Sequence, residues 1–102
     1  MYKRHITQDE ISQVSPDETL LIDIRESEEV ADEPNPLAGV THMPMGKVFV
    51  EAYKGNIPKD KPVVSICKTG GRCKVLTEYL QERGYQADYL EGGLMALDEQ
   101  TS

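Results

Sequence analysis

Short β-branched apolar runs alternating with amphipathic, helix-spaced segments predict an α/β domain, with a mostly parallel central sheet and helices on both faces. Three observations carry this. The run Pro62-Val63-Val64-Ser65-Ile66 is nearly continuous in apolar character, as expected of a strand covered on both faces of a parallel sheet. From Arg72 onward, Val75, Leu76, Tyr79 and Leu80 recur at helical spacing, with Lys74, Glu78, Gln81 and Glu82 between them. At 102 residues the chain is one domain, residues 1–102, large enough to bury roughly two-thirds of its unfolded surface.

In chain order, Ile6 precedes a helix capped from Thr7, and Leu20 to Ile24 reads as a strand. A short strand follows near Val40 to Met43, then a helix around Gly46 to Tyr53. The strand at Val63 leads into a helix over Cys73 to Arg83, which Gly84 stops, and the last strand lies near Ala87 to Leu90. Ligands in such sheets bind outside the carboxyl ends of the strands, and Cys67 lies at one.

Cys67-Lys68-Thr69-Gly70-Gly71-Arg72 therefore joins a strand to a helix whose N-terminus faces the cysteine. A free thiol with a pKa of about 8.5 is only a few per cent thiolate at neutral pH. Lowering it by two units requires nearly 3 kcal/mol, at roughly 1.4 kcal/mol per unit. A helix N-terminus offers about 0.3–1 kcal/mol, up to roughly 2 when partly buried, and charge-assisted bonds from amides add about 1.5–3 each. Gly70 and Gly71 can take backbone angles closed to other residues, so successive amides can form an anion-binding nest around the sulfur. Lys68 and Arg72 add positive charge at the rim.

The string VVSICKTGGRCKVLTEYLQERGY, followed by YLEGGLMAL, resembles the rhodanese-like domains, whose active loop is a cysteine, four residues and often an arginine between a central strand and a helix. Upstream, Leu20-Leu21-Ile22-Asp23-Ile24-Arg25-Glu26 looks like the family's strand ending in Asp-x-Arg, followed by an acidic helix start in Glu28-Glu29. Downstream, Leu90-Glu91-Gly92-Gly93 matches its final Gly-Gly turn. Two departures stand out. Where family members commonly carry Gly-His-Ile-Pro-Gly-Ala, this chain reads as Asn35-Pro36-Leu37-Ala38-Gly39-Val40, about two residues longer through Asp32-Glu33-Pro34. The tryptophan that often follows the Gly-Gly turn is replaced by Leu97, which implies a shorter last helix.

The resemblance and the loop chemistry imply a sulfurtransferase. The Cys67 thiolate attacks the outer sulfur of a small sulfur-containing anion such as thiosulfate, or of a persulfide donor, and becomes a persulfide. A thiol or protein acceptor, or cyanide in an assay, then takes the terminal sulfur. Lys68, Thr69, Gly70, Gly71 and Arg72 form the substrate-binding loop, and Asp23 and Arg25 support it. Arg72 either binds the anion or pairs with a carboxylate such as Asp23 or Glu91, and both roles are compatible. Thr69 either donates its hydroxyl to the sulfur or shapes the turn. Cys73, in the first turn of the helix, is either a packed small side chain or a resolving thiol that would attack a Cys67 persulfide.

Other classes compete on identifiable features. Related phosphatases and arsenate reductases use a loop one residue longer, Cys-x5-Arg, which suits a tetrahedral oxyanion; Cys-x4-Arg suits one sulfur. A dithiol redox protein would use Cys67 and Cys73, and a non-catalytic interaction module would dispense with Cys67. The net charge of −7 argues against a nucleic-acid surface, because phosphate neutralisation needs clustered Lys and Arg. Acidic residues gather in Asp17-Glu18, Glu26 to Glu33 and Asp98-Glu99, either a solvated face or a docking face for a basic partner. His5 and His42 stand apart from each other and from cysteine pairs, so no metal and no cofactor is expected. Neither a signal peptide nor a membrane span is visible, two reduced thiols fit a cytoplasmic setting, and nothing demands more than a monomer.

Overall fold

The computed structural model describes residues 8–11 and 13–95. The elements run α1 (Gln8–Ile11), β1 (Leu20–Asp23), α2 (Ser27–Asp32), β2 (Val40–His42), α3 (Met45–Tyr53), β3 (Val63–Ile66), α4 (Gly71–Glu82) and β4 (Ala87–Tyr89). Ile6, the capping Thr7, His5, Asp98-Glu99 and Leu97 lie outside the described residues. Every neighbouring pair of strands is parallel, in the order β2-β1-β3-β4. Parallel neighbours need crossovers, and α2, α3 and α4 supply them.

The period of two along each strand divides the core between the two faces of the sheet. On one face Ile22, Ile24 and Val63 pack with Val48 and Ala52 of α3 and Leu76 and Leu80 of α4. On the other, Leu21, Val64 and Ile66 pack with Ile11 of α1, Leu90 and Leu94. All four residues of β3 are buried, which is why this strand reads as a nearly continuous apolar run. The expected layers, with helices on both faces, are present.

The chain leaves β1 towards β2 on one side and returns to β3 on the other, so the sheet's switch point lies between β1 and β3. Asp23 pairs in register with Ile66, which brings the carboxyl ends of these strands together and sets Arg25 and Cys67 just beyond them. Helix α4 starts at Gly71, two residues before the expected Cys73, because Gly70 takes a left-handed conformation at φ +96° and turns the loop directly into the helix.

Candidate active site

Cys67 follows β3 in step with Val63 and Ser65, so its side chain lies on the α3 and α4 face and meets the first turn of α4. Its Sγ accepts a hydrogen bond from the Gly70 N–H at 3.0 Å. No side chain caps α4 at Gly70; the sulfur takes that place and receives amides that a helix start leaves without partners. The Cys73 thiol bond, followed by the amides of Cys73, Gly70 and Thr69, outweighs burial and holds Cys67 at about 6. Relative to an ordinary thiol at 9.0 that is about 4 kcal/mol of preference for the anion. Cys73 moves the opposite way: burial pushes its thiol far up, and its bond to Cys67 adds to the effect.

The Gly-Gly turn orients this loop from behind. The amides of Leu94 and Met95 donate to the carbonyl oxygens of Cys67 and Lys68, each at 2.9 Å. Carbonyl and amide point in opposite directions across a trans peptide, so drawing the Lys68 oxygen towards Met95 turns the Thr69 N–H inward, towards the sulfur. Gly93 sits at φ +63°, and a Cβ there would fall on the Lys68 and Cys67 carbonyl oxygens. The Thr69 amide, rather than its hydroxyl, is among the groups that lower the Cys67 thiol.

Asp23 and Arg25 form a buried pair under the loop, 1% and 2% exposed. Arg25 donates from Nη2 to Asp23 Oδ2 at 2.8 Å and from Nε to Oδ1 at 3.0 Å, and its amide adds a third bond at 3.1 Å. Asn35 Nδ2 donates to the same carboxylate at 3.0 Å, while its Oδ1 accepts the Leu37 amide at 2.9 Å. Burial pushes the Asp23 carboxyl up, but the bonds from Arg25 and Asn35 outweigh it and leave the group below the ordinary carboxylate range. Burying both charges is tolerable because each is hydrogen-bonded to the other.

The rim differs from the expected positive spot. Arg72 pairs with neither Asp23 nor Glu91; Nη1 and Nη2 donate to Glu29 Oε1 and Oε2 at 2.7 and 2.8 Å, a two-pronged bond from α4 to α2. Asp23 is already held by Arg25, and α2 brings Glu29 within reach across 43 residues of sequence. That bond lowers the Glu29 carboxyl and raises the Arg72 guanidinium. Lys68, half exposed, stands 4.0 Å from Glu33. A cleft of about 280 Å³ lies over this edge, lined by Arg25, Glu29, Asp32, Glu33 and Lys68. Cys67 is not in that lining and is fully covered. Part of the acidic run Glu26 to Glu33 is thus a wall of the site rather than only a solvated face.

Glu29, Asn35 and His42 are contributors that the sequence reading did not single out. His42 Nε2 lies 2.8 Å from the Arg25 carbonyl oxygen, which ties the end of β2 to the loop after β1. The signal was the spacing His42-Met43-Pro44 at the end of a strand, with Pro44 as the N-cap of α3. The Asn35–Val40 segment is therefore not the counterpart of the family's His-containing motif: residues 33–39 form a connection ahead of β2, and Asn35 anchors it to Asp23.

Among the described residues, no group of three or more His, Cys, Asp or Glu side chains is placed to hold a metal ion. No described helix is long and apolar enough to cross a membrane. The sequence matches the Rhodanese-like domain over residues 7–100. YtwF of Bacillus subtilis (strain 168), a sulfurtransferase by name, is 39% identical over 85 residues, which cover 83% of this chain and 79% of that protein. A tRNA sulfurtransferase of Desulfurococcus amylolyticus is 37% identical over 79 residues, 78% of this chain but only 15% of that protein. A rhodanese-related protein from Thermoplasma volcanium shares the fold, with a TM-score of 0.79 at 23% identity over 96% of this chain and 93% of that one.

Proposed function

This chain belongs to the rhodanese-like domain family, and from that premise we propose that it transfers sulfane sulfur through a persulfide on Cys67. The carrying observation is the placement of Cys67 between the end of β3 and the start of α4, where its Sγ accepts the Gly70 N–H at 3.0 Å and the thiol is lowered to about 6. At that value the side chain is about 90% thiolate at pH 7. The thiolate attacks the terminal sulfur of the donor; a new S–S bond forms at Cys67, the donor's S–S bond breaks, and the donor leaves as a thiolate. An acceptor thiolate then attacks the terminal sulfur, and Cys67 departs as the thiolate that the loop already stabilises.

The donor is a persulfide in preference to thiosulfate. Both rim cations face carboxylates, Arg72 against Glu29 and Lys68 against Glu33, and Asp32 adds a further negative charge to the cleft. A doubly charged anion meets an electronegative wall there, whereas a persulfide on a neutral or basic carrier does not. The short Cys-x4-Arg loop favours this chemistry over phosphate or arsenate chemistry.

Steady-state kinetics test both parts. Parallel lines in double-reciprocal plots are expected for the relay, and intersecting lines would refute a covalent intermediate. Thiosulfate is expected to give a kcat/KM at least about tenfold below that of cysteine persulfide. Glu29→Gln frees the Arg72 guanidinium, so the KM for thiosulfate falls about threefold to tenfold while that for cysteine persulfide changes less than about twofold. An unchanged thiosulfate KM would show that the ion pair does not select the donor.

A further inference from the structure

The cleft beside the loop holds charges of both signs, supplied by different elements. Asp32 ends α2 and Glu33 is its C-cap, whereas Lys68 follows Cys67 and Arg25 lies just past β1. Glu29 is already committed, since both of its carboxylate oxygens accept from Arg72 at 2.7 and 2.8 Å. Asp32 and Glu33 are not. Both are exposed, and among the described residues no cation pairs with Asp32, while Glu33 meets Lys68 only at 4.0 Å with both side chains more than half exposed. So long and wet a pair contributes little.

The donors also have capacity left. Arg25, 2% exposed, turns Nε and Nη2 to Asp23, whereas Nη1 meets only the Glu29 carbonyl oxygen among the described residues, at 3.5 Å. Nη1 carries two hydrogens, so a buried cation lines the cleft with a donor still to be answered. A ligand oxygen would answer it.

We propose that this cleft is a subsite for the head group of a free α-amino acid, with Asp32 and Glu33 taking the ammonium and Lys68 and Arg25 taking the carboxylate, so that the sulfur donor is cysteine persulfide itself rather than a peptide or protein persulfide. This deepens, and rests on, the reading of Cys67 as the sulfur carrier.

A zwitterion satisfies both sets of groups at once. A simple anion meets Asp32 and Glu33 with no positive charge to offer, and a simple amine leaves Lys68 and Arg25 unanswered. Within a peptide, the nitrogen and carboxyl of a cysteine are tied up in amides, and both charges are lost. At about 280 Å³ the cleft has the scale of a small-ligand site. Its position also suits the reaction, because Lys68 adjoins Cys67 and the terminal sulfur of the donor sits on a short side chain. That sulfur joins Cys67, the donor's S–S bond breaks, and its electron pair leaves with cysteine as a thiolate.

The test begins with an inert head group, so it stands apart from sulfur transfer. S-Methylcysteine binding to the full chain is measured by calorimetry, beside N-acetyl-S-methylcysteine and 3-(methylthio)propionate, which lack the ammonium. S-Methylcysteine is expected to bind at least about tenfold more tightly than either, and the Asp32→Asn, Glu33→Gln double variant to lose most of that advantage. In turnover, the same variant raises the KM for cysteine persulfide about fivefold to tenfold with kcat within about twofold, while the KM for N-acetylcysteine persulfide does not rise. Asp17→Asn, Glu18→Gln removes two exposed acids that do not line the cleft and leaves every value unchanged. Equal affinity for S-methylcysteine and its N-acetyl form would overturn the proposal. So would an undiminished preference in the Asp32, Glu33 variant, or an equal loss in the Asp17, Glu18 variant, which would reduce the effect to overall charge. If S-methylcysteine binds as expected but cysteine persulfide adds no sulfur to Cys67, the relay is refuted and the subsite stands.

Discussion

Cys67→Ser is expected to eliminate sulfur transfer, lowering turnover with a persulfide donor by at least about 10³-fold while leaving the unfolding midpoint close to that of the wild type. Sγ accepts the Gly70 N–H at 3.0 Å, and the Thr69 and Cys73 amides and the Cys73 thiol favour its anion. Such a site stabilises an anion but does not abstract a proton. A thiol that ionises at about 6 exploits this fully, whereas a serine hydroxyl stays protonated and receives no activation. The same donors still satisfy the serine oxygen, so the fold survives. Residual turnover above about a tenth of the wild-type value would mean that the sulfur passes elsewhere.

Gly93→Ala is the second large effect, and it acts through backbone geometry alone. The left-handed conformation at φ +63° costs a residue with a Cβ about 1–2 kcal/mol. The new methyl would also fall on the Lys68 and Cys67 carbonyl oxygens, whose hydrogen bonds to Met95 and Leu94 aim the loop amides at the sulfur. Relief requires the loop to move away. Stability is expected to fall by at least about 2 kcal/mol in urea unfolding, and persulfide formation about 10-fold to 100-fold, as displacement of the anion-binding amides implies. Gly46→Ala provides the contrast: nothing lies within 4 Å of its would-be Cβ in the first turn of α3, so the change is neutral or stabilises by up to about 1 kcal/mol. A Gly93→Ala protein as stable and active as Gly46→Ala would show that the turn does not hold the loop.

These two positions mark what was legible in the sequence. Strand β3 and helix α4 were visible because burial on both faces and helical periodicity are local properties, recorded in Val63–Ile66 and in Val75, Leu76, Tyr79 and Leu80. The placement of Cys67 followed, since it needs only a strand end and a helix start. The start of α4 was placed late because Gly70 and Gly71 carry no periodicity signal; only the left-handed angle shows that the helix begins there. The partner of Arg72 was not legible. Nothing within either segment favours Glu29 over Asp23, and the choice depends on α2 packing beside the loop while Arg25 occupies Asp23. The burial of Cys73 in one core cluster with Cys67 likewise depends on helix register against the strand. Local chemistry was readable, whereas contacts between distant segments required the fold.

Those distant contacts give the site its character. Arg72 and Lys68 supply charge, but Glu29 and Glu33 answer it, so the stabilisation of the thiolate comes from neutral donors inside the loop. Such donors are buried and therefore weakly screened by salt. The reactivity of Cys67 should accordingly vary little with ionic strength, unlike the selection of charged donors at the rim.

The most direct measurement is the intact mass of the protein after brief exposure to cysteine persulfide, for the wild type, Cys67→Ser and Cys73→Ser. A gain of one sulfur atom that requires Cys67, survives Cys73→Ser and disappears on adding cyanide is the predicted result. An unchanged wild-type mass, or a gain that persists in Cys67→Ser, would contradict sulfur relay through Cys67.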